Sequence, residues 1–278
     1  MTRLIADSGS TKTEWYLSGS GQPVSVFTQG LSPYFLNGDQ IVAVLQNELL
    51  PHLQDILPDQ VFFYGTGCAA PENAALVTRA LQRSFPGAAV EVQHDLMGAA
   101  RALCGREPGI ACILGTGSNS CYFDGETIIH NSPGLGYVLG DEGSGAYLGK
   151  KVLQYYLYKT FDEDLMFRFE ERYKTNKAEI LDQVYKKPLA NRYLASFALF
   201  LKDNRNHFMI ENIIEDGLND FFFTHLCKYA ESWTKPIHFT GSISFGFQDV
   251  ICDLCTTYEF EAGKILQAPM EGLKQYHG

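Results

Sequence analysis

No apolar run in this chain reaches the roughly 20 residues that a membrane-spanning helix needs. Polar residues begin at Asp7, so a secretory leader is not predicted. Basic residues are in deficit: 22 Lys and Arg stand against 32 Asp and Glu, a net charge of −10. A field of that sign repels polyanions. Neither nucleic acid nor an anionic membrane is therefore an expected partner, and a bound phosphate must be held locally, by backbone and metal. Cysteine is too sparse and too scattered for a disulfide framework, with seven residues at 68, 104, 112, 121, 227, 252 and 255. These read as reduced, mostly buried thiols of a cytoplasmic protein. Three chemical motifs are missing as well: G-x-x-x-x-G-K-[ST], G-x-G-x-x-G and H-E-x-x-H. Cys252-Asp253-Leu254-Cys255 has no second pair and no nearby histidine, so it reads as two thiols on the buried face of a helix.

What remains is ordinary globular composition, 45% hydrophobic and 19% charged, over 278 residues, long enough for two domains. One design occurs twice. Leu4-Ile5-Ala6 runs through residues 7–13 (Asp7, Ser8, Gly9, Ser10, Thr11, Lys12, Thr13) into Glu14-Trp15-Tyr16-Leu17. A hundred residues on, Ala111-Cys112-Ile113-Leu114 runs through Gly115, Thr116, Gly117, Ser118, Asn119 and Ser120 into Cys121-Tyr122-Phe123. Each is an apolar strand, a Gly/Ser/Thr turn and a return strand. Gly9 and Gly117 permit backbone angles that turn N–H groups inward, and such concave arrays bind anions. The hydroxyls and Asn119 add short donors, and Lys12 suits a phosphate. Asp7, at a strand end, suits a Mg²⁺ held through water. Either segment alone is most simply a β-hairpin with a polar turn. The pair, at corresponding places in two halves, points to a two-sided phosphate clamp and to an old duplication of one strand–helix unit.

In the first half, strands are predicted at Val24–Phe27, Val61–Tyr64 and Ala89–Val92, and helices over 41–50, from Pro71 to about Phe85, and from Asp95 through Leu103. Gly105–Gly109 is the predicted linker. The second half continues with a strand at Thr127–Ile129, helices from Gly143 to about Ser232, a strand at 236–241, a helix near Phe245–Tyr258 and a short helix opened by Pro269. Asp95 stands at a predicted strand end, where it is either a general base for a substrate hydroxyl or a helix N-cap. Residues 133–145 hold five glycines, among them Gly134 and Gly136, and the adjacent carboxylates Asp141 and Glu142, just before a helix. A helix N-terminus beside such chain suits a phosphate or sugar oxygen. Gly241 and Ser242 form a strand–helix turn that lets a nucleoside approach the backbone. Phe221–Phe223 and the tyrosines at 155, 156 and 158 read as core or subunit interface, with a homodimer as one expected assembly.

The order D-S-G-S-T-K-T, a strand-end Asp, L-G-T-G-S-N, G-D-E-G-S and a late G-S resembles the N-acetylglucosamine kinase and BadF/BcrA-type ATPase family of the actin–hexokinase superfamily. The resemblance spans nearly the whole chain. It implies an α/β fold of two RNase H-like domains around a nucleotide cleft: residues 1–107, joined by a C-terminal helix at 268–278, and residues 108–267 with a helical insertion. It implies ATP and Mg²⁺, with Asp7 at the metal, residues 8–13 and 115–118 on the phosphates, and Gly241 and Ser242 on the adenosine side. It implies Asp95 as the base toward a sugar 6-hydroxyl, with Asn119, Gly134, Gly136, Asp141 and Glu142 near the sugar. The chain departs from the family where Pro33-Tyr34-Phe35 replaces a sugar-contacting Asn, where a Trp before G-D-E-G-S is lost or moved to Tyr137, and at Lys202–His207, which lacks the A-x-x-G-D nucleotide pattern. The expected function is an ATP-dependent amino-sugar kinase. The alternatives are an ATPase that switches a partner protein and a sugar-binding module without transfer.

Overall fold

The computed structural model describes residues 1–278 except Ser10, Ser20, Gln54 and Asp55. The expectation for Ser10 therefore lies outside the described residues. The chain divides into two compact units. Unit 1 is Met1–Glu107, Gly125–Thr127 and Ala268–Gly278; unit 2 is Pro108–Asp124 and Ile128–Gln267.

Unit 1 holds β1 (Arg3–Ser8), β2 (Lys12–Ser18), β3 (Val24–Gln29), α1 (Gly38–Val44), β4 (Gln60–Gly65), α2 (Pro71–Ser84), β5 (Ala89–His94) and α3 (Asp95–Cys104). Its sheet runs β3-β2-β1-β4-β5, antiparallel from β3 to β1 and parallel from β1 through β4 to β5. Period-two alternation lets β4 serve two faces. Val61 and Phe63 join Trp15, Leu45, Leu81 and Phe85 in one core cluster. Tyr64, on the opposite parity, packs so closely on Gly98 of α3 that a Cβ there would lie 2.8 Å from it. Asn37 and Gln40 form a reciprocal capping box at the start of α1. The helix predicted over 41–50 is realised as α1 followed by a π-helical turn at Leu45–Leu49 and a 3₁₀ turn at Leu50–His52. Pro71 occupies the first turn of α2, where its missing N–H is not needed.

Unit 2 holds β6 (Gly109–Leu114), β7 (Ser118–Phe123), β8 (Ile128–Ser132), α4 (Gly136–Leu139), α5 (Gly145–Leu157), α6 (Glu163–Tyr173), α7 (Lys177–Tyr185), α8 (Ala190–Ser196), α9 (Ala198–Asp203), α10 (Phe208–Thr224), β9 (Ile237–Thr240), α11 (Ser242–Gly246), α12 (Gln248–Thr257) and β10 (Ala262–Leu266). The last helix, α13 (Met270–His277), returns to unit 1. There its Gly272 lies against Ala102 of α3, and His277 stacks on Phe62 and bonds Tyr64. The unit 2 sheet runs β10-β9-β6-β7-β8, the order of the first sheet read from its other edge. Phe169, Phe197 and Phe200 anchor its helical core.

Several sequence expectations change here. The edge strand β10 carries a glycine and a lysine in five residues, and that hid it from a hydrophobic pattern. The helix predicted near 245–258 is two, broken at the buried Phe247. Phe221 and Phe222 are core, whereas Phe223 and Tyr158 are 69% and 81% exposed. Only one thiol of the C-x-x-C faces inward: Cys255 is buried, with its pKa pushed up to about 12 by burial, while Cys252, three residues earlier on α12, is exposed. Among the described residues, no helix is long and apolar enough to cross a membrane.

Candidate functional site

In unit 1 the parallel register aligns Asp7 with Tyr64 and Tyr64 with Gln93, then Ser8 with Gly65 and Gly65 with His94. Asp7 thus leaves the carboxyl end of β1, and Asp95 opens α3 immediately beyond β5. Two strand spacings, about 10 Å, separate the rows from which they project. Asp95 is half-buried and held at both oxygens: Thr66 donates its hydroxyl to Oδ2 at 2.8 Å, and the Leu96 N–H donates to Oδ1 at 2.9 Å. Each oxygen keeps acceptor capacity. Burial, reinforced by the charges of Asp95 and Glu14 and only partly opposed by Lys12, raises the Asp7 carboxyl from 3.8 to about 7. The loop after β4 reaches the segment that departs from the family pattern: Gly67, at φ +88°, lies against the Tyr34 ring, so closely that a Cβ would sit 3.0 Å from it.

The first turn is closed by the Gly9 N–H donating to the Lys12 carbonyl at 3.0 Å. Two expected phosphate donors are otherwise engaged. The buried Ser8 and Thr13 hydroxyls lie 2.7 Å apart, Ser8 Oγ accepts the Leu31 N–H, and Thr13 donates to the Gln29 carbonyl. Their side chains fasten the hairpin to the end of β3 and the residues just after it. Thr11 and Lys12 are exposed, and the Lys12 ammonium rests 5.0 Å from the Phe27 ring centroid.

In unit 2 the second turn closes by the Gly115 N–H donating to the Gly117 carbonyl at 3.0 Å. Neither Gly9 nor Gly117 has the positive φ expected of it; what Gly117 supplies is room. A Cβ there would lie 3.0 Å from Asp141 Oδ2, and the Ser118 N–H donates to the same carboxylate. Burial nonetheless raises the Asp141 pKa, against that hydrogen bond. The Ser118 hydroxyl is buried with no partner among the described residues. Gly241, at φ +122°, lets the β9–α11 turn meet this hairpin, since a Cβ would lie 2.3 Å from the Leu114 carbonyl. Ser242 beside it is exposed. Gly134 passes Ser118 and Asn119 at van der Waals distance, whereas Gly136 borders open space. Asn119 Oδ1 accepts the Ser120 N–H and the Asn131 amide, each at 2.9 Å.

The expected open helix N-terminus after G-D-E-G-S is not open. The Gly145 and Ala146 N–H groups donate to the carbonyls of Gly115 and Thr116, at 2.8 and 3.1 Å, and Ser144 Oγ caps the Tyr147 N–H. The first amides of α5 brace the turn after β6. Glu142 turns to His225, whose Nε2 is 3.0 Å from Oε2. Tyr137 lines an apolar cavity of about 530 Å³ with Leu153, Leu157 and Ile180. In the segment lacking the expected nucleotide pattern, Arg205 is committed to Glu211 and Asp249.

Asp7 also tests the fit of a divalent cation. It is partly buried and has the charges of two further carboxylates in its field, and its carboxylate has no ion pair or hydrogen bond to another described residue. Among the described residues no three His, Cys, Asp or Glu groups converge as a metal cage. That combination suits Mg²⁺, which keeps most of its waters and takes one or two carboxylates beside substrate phosphates.

No protein-family model and no curated protein matches the chain. Solved structures do. A candidate N-acetylglucosamine kinase from Porphyromonas gingivalis is 40% identical, superimposes with a TM-score of 0.94, and the match covers 99% of this chain and 98% of that one. The chain belongs to the N-acetylglucosamine kinase-like family. A second candidate N-acetylglucosamine kinase, from Chromobacterium violaceum, shares the fold at 16% identity and a TM-score of 0.76 over 100% and 99% of the two chains. A ROK family glucokinase from Streptomyces griseus, solved with glucose and AMPPNP, shares it at 14% identity and a TM-score of 0.55 over 99% and 98%.

For this N-acetylglucosamine kinase-like chain, sequence reasoning missed Thr66, Asn131, His225 and Tyr229. Gly65-Thr66-Gly67 after a buried strand was a usable signal for the first. His225 and Tyr229, four apart beyond an aromatic run, carried none that separates them from ordinary core polar residues.

Proposed function

We propose that this protein is an ATP-dependent sugar kinase that phosphorylates the 6-hydroxyl of N-acetylglucosamine or a closely related amino sugar. The observation that carries the reading is Asp95: a half-buried carboxylate at the carboxyl end of a parallel strand, oriented from two sides and left with lone pairs to spare. Its setting beside Asp7, in a family whose close structural relative bears the name of such a kinase, supports the assignment.

In the proposed reaction the sugar hydroxyl oxygen attacks the γ-phosphorus of ATP. Its proton passes to an Asp95 oxygen, the bond from the γ-phosphorus to the β–γ bridging oxygen breaks, and ADP leaves. Such transfers have loose transition states, so the protein's work is positioning and charge neutralisation. Thr66 and the Leu96 N–H hold the base still. Asp7 would hold Mg²⁺ through water, and the ion when bound neutralises charge on the β- and γ-oxygens. In unit 2 the buried Ser118 hydroxyl, the turn at 115–117 and the Gly241 approach are the groups we assign to the nucleotide. Asn119, Asp141 and Glu142, acceptors of hydroxyl protons, are assigned to the sugar. Asp141 bears on both groups, because its carboxylate occupies the Ser118 N–H.

Steady-state ADP formation with N-acetylglucosamine, glucosamine and N-acetylmuramate as acceptors tests the reading. Replacing the base typically costs about 10²–10⁴-fold. Asp95→Asn should lower kcat by at least about 10²-fold with ATP binding retained. Near-native turnover in that variant removes Asp95 from the chemistry. Failure of every amino sugar to stimulate ADP release removes the substrate class.

A further inference from the structure

Asn119 and Glu142, two residues assigned to the sugar, belong to different elements of unit 2, yet one hydrogen-bonded chain joins them. Glu142 Oε2 lies 3.0 Å from His225 Nε2, and His225 Nδ1 lies 2.7 Å from Ser132 Oγ. The Ser132 N–H donates to the Tyr229 hydroxyl at 2.6 Å, and that hydroxyl donates to the Ser120 carbonyl at 2.9 Å. The Ser120 N–H in turn donates to Asn119 Oδ1. The interior of the chain is dry: His225 and Tyr229 are each 4% exposed and Ser120 is 0% exposed. Its end is not, because the Glu142 side chain keeps 20% of its surface.

The local backbone is built for the contact. Gly143, at φ +69°, presses onto α10 so closely that a Cβ would lie 2.8 Å from Phe221 Cβ. That approach delivers the preceding residue, Glu142, to the imidazole, and the Phe221 ring packs 4.9 Å from it. An ionised carboxylate only accepts, so Nε2 must carry the hydrogen. In the neutral ring Nδ1 then accepts from the Ser132 hydroxyl, which fixes both tautomer and ring plane.

We infer that His225 is a positioning residue for the acceptor sugar: locked by Ser132, it holds one oxygen of Glu142 and aims the other at a sugar hydroxyl. The inference rests on the reading of Glu142 as a sugar ligand. A buried polar chain of this kind rigidifies what it ends on. A displacement of about 1 Å in a positioning group costs up to about 10²-fold.

The test measures KM for N-acetylglucosamine and for ATP, with kcat, in Glu142→Gln, His225→Phe, His225→Gln and Ser132→Ala. His225→Phe should raise the sugar KM about 10- to 100-fold and leave the ATP KM within about twofold. His225→Gln places an amide N–H where Nε2 stands and should recover most of the loss. Ser132→Ala, a deletion of one hydroxyl, should raise the sugar KM several-fold. A folded His225→Phe with the native sugar KM, beside a Glu142→Gln that raises it, overturns the inference and leaves the Glu142 assignment standing. If His225→Phe does not fold, the other two decide: native sugar KM in Ser132→Ala, or no better binding in His225→Gln than in Glu142→Gln, overturns it. A native sugar KM in Glu142→Gln removes Glu142 from the sugar and takes the role of His225 with it.

Discussion

Replacing Asp7 with asparagine should silence the protein and stabilise it. Burial and the fields of Asp95 and Glu14 raise this carboxyl from 3.8 to about 7. The native state therefore holds the Asp7 proton more tightly than the unfolded chain does. Stability falls as pH rises from about 4 to about 7, and above that the ionised group imposes its full cost. At full burial a rise of that size corresponds to about 4 kcal/mol. Asp7 keeps some contact with solvent, and screening leaves about 1–2 kcal/mol recoverable. Asparagine has the same shape and no charge, so it recovers that amount. For a chain of this size about 1 kcal/mol moves Tm by roughly 2–4 °C, giving a gain of about 2–8 °C at pH 8 in chelator. The gain should shrink toward zero near pH 4. Thermal melts of both proteins across that range check it. A variant that melts at or below the native protein at pH 8, or a difference indifferent to pH, refutes the reasoning. ADP with Mg²⁺ should raise the Tm of the native protein and much less that of Asp7→Asn, because a cation relieves the same repulsion by binding only the folded state.

Gly272→Ala places a Cβ 2.2 Å from the Ala102 carbonyl, so it should lift α13 from α3 and cost about 1–3 kcal/mol or more, read as a lowered denaturation midpoint. Iodoacetamide under native conditions should label the exposed Cys252 first and spare Cys68, which is buried, with its thiol pKa pushed up to about 12; mass spectrometry of the peptides decides, and early labelling at Cys68 contradicts the burial argument.

The strand–turn–strand pattern was legible because each hairpin opens on a continuous apolar run, Leu4–Ala6 or Ile110–Leu114, that ends at a short polar turn. Asp95 was legible because strand ends before helices are where sheets of this type present ligands. What could not be read was the direction of side chains inside the turns. Ser8, Thr13 and Thr11 are similar residues in one loop, yet two are buried fasteners and one is exposed. The helix after G-D-E-G-S carries every mark of an anion site, but its amides meet carbonyls 30 residues upstream, a pairing with no local signature. β10 escaped because an edge strand can carry lysine and glycine without burying either.

The two sheets have one topology but share out the chemistry unequally. β1 and β6 hold equivalent central places, each antiparallel to the next strand and parallel to a later one. The residue second from the end of β1 is Asp7; at the same place in β6 stands Ile113. The strand-end carboxylates are in unit 1, where burial, and after it the charge of Asp95, raises the Asp7 pKa. Unit 2 answers with neutral donors and with carboxylates that are each already bonded, Asp141 to Ser118 and Glu142 to His225. A carboxylate meant to hold a cation, as Asp7 is, must stay under-satisfied until its ligand arrives. One meant to hold a sugar hydroxyl works better when its own position is settled beforehand. Two units of one sheet topology provide the two conditions separately. The half that leaves the Asp7 carboxylate without a partner among the described residues, beside an Asp95 steadied by Thr66 and the Leu96 N–H, is the half assigned to the chemistry, and the half that ties Glu142 into a buried network is the half assigned to recognition.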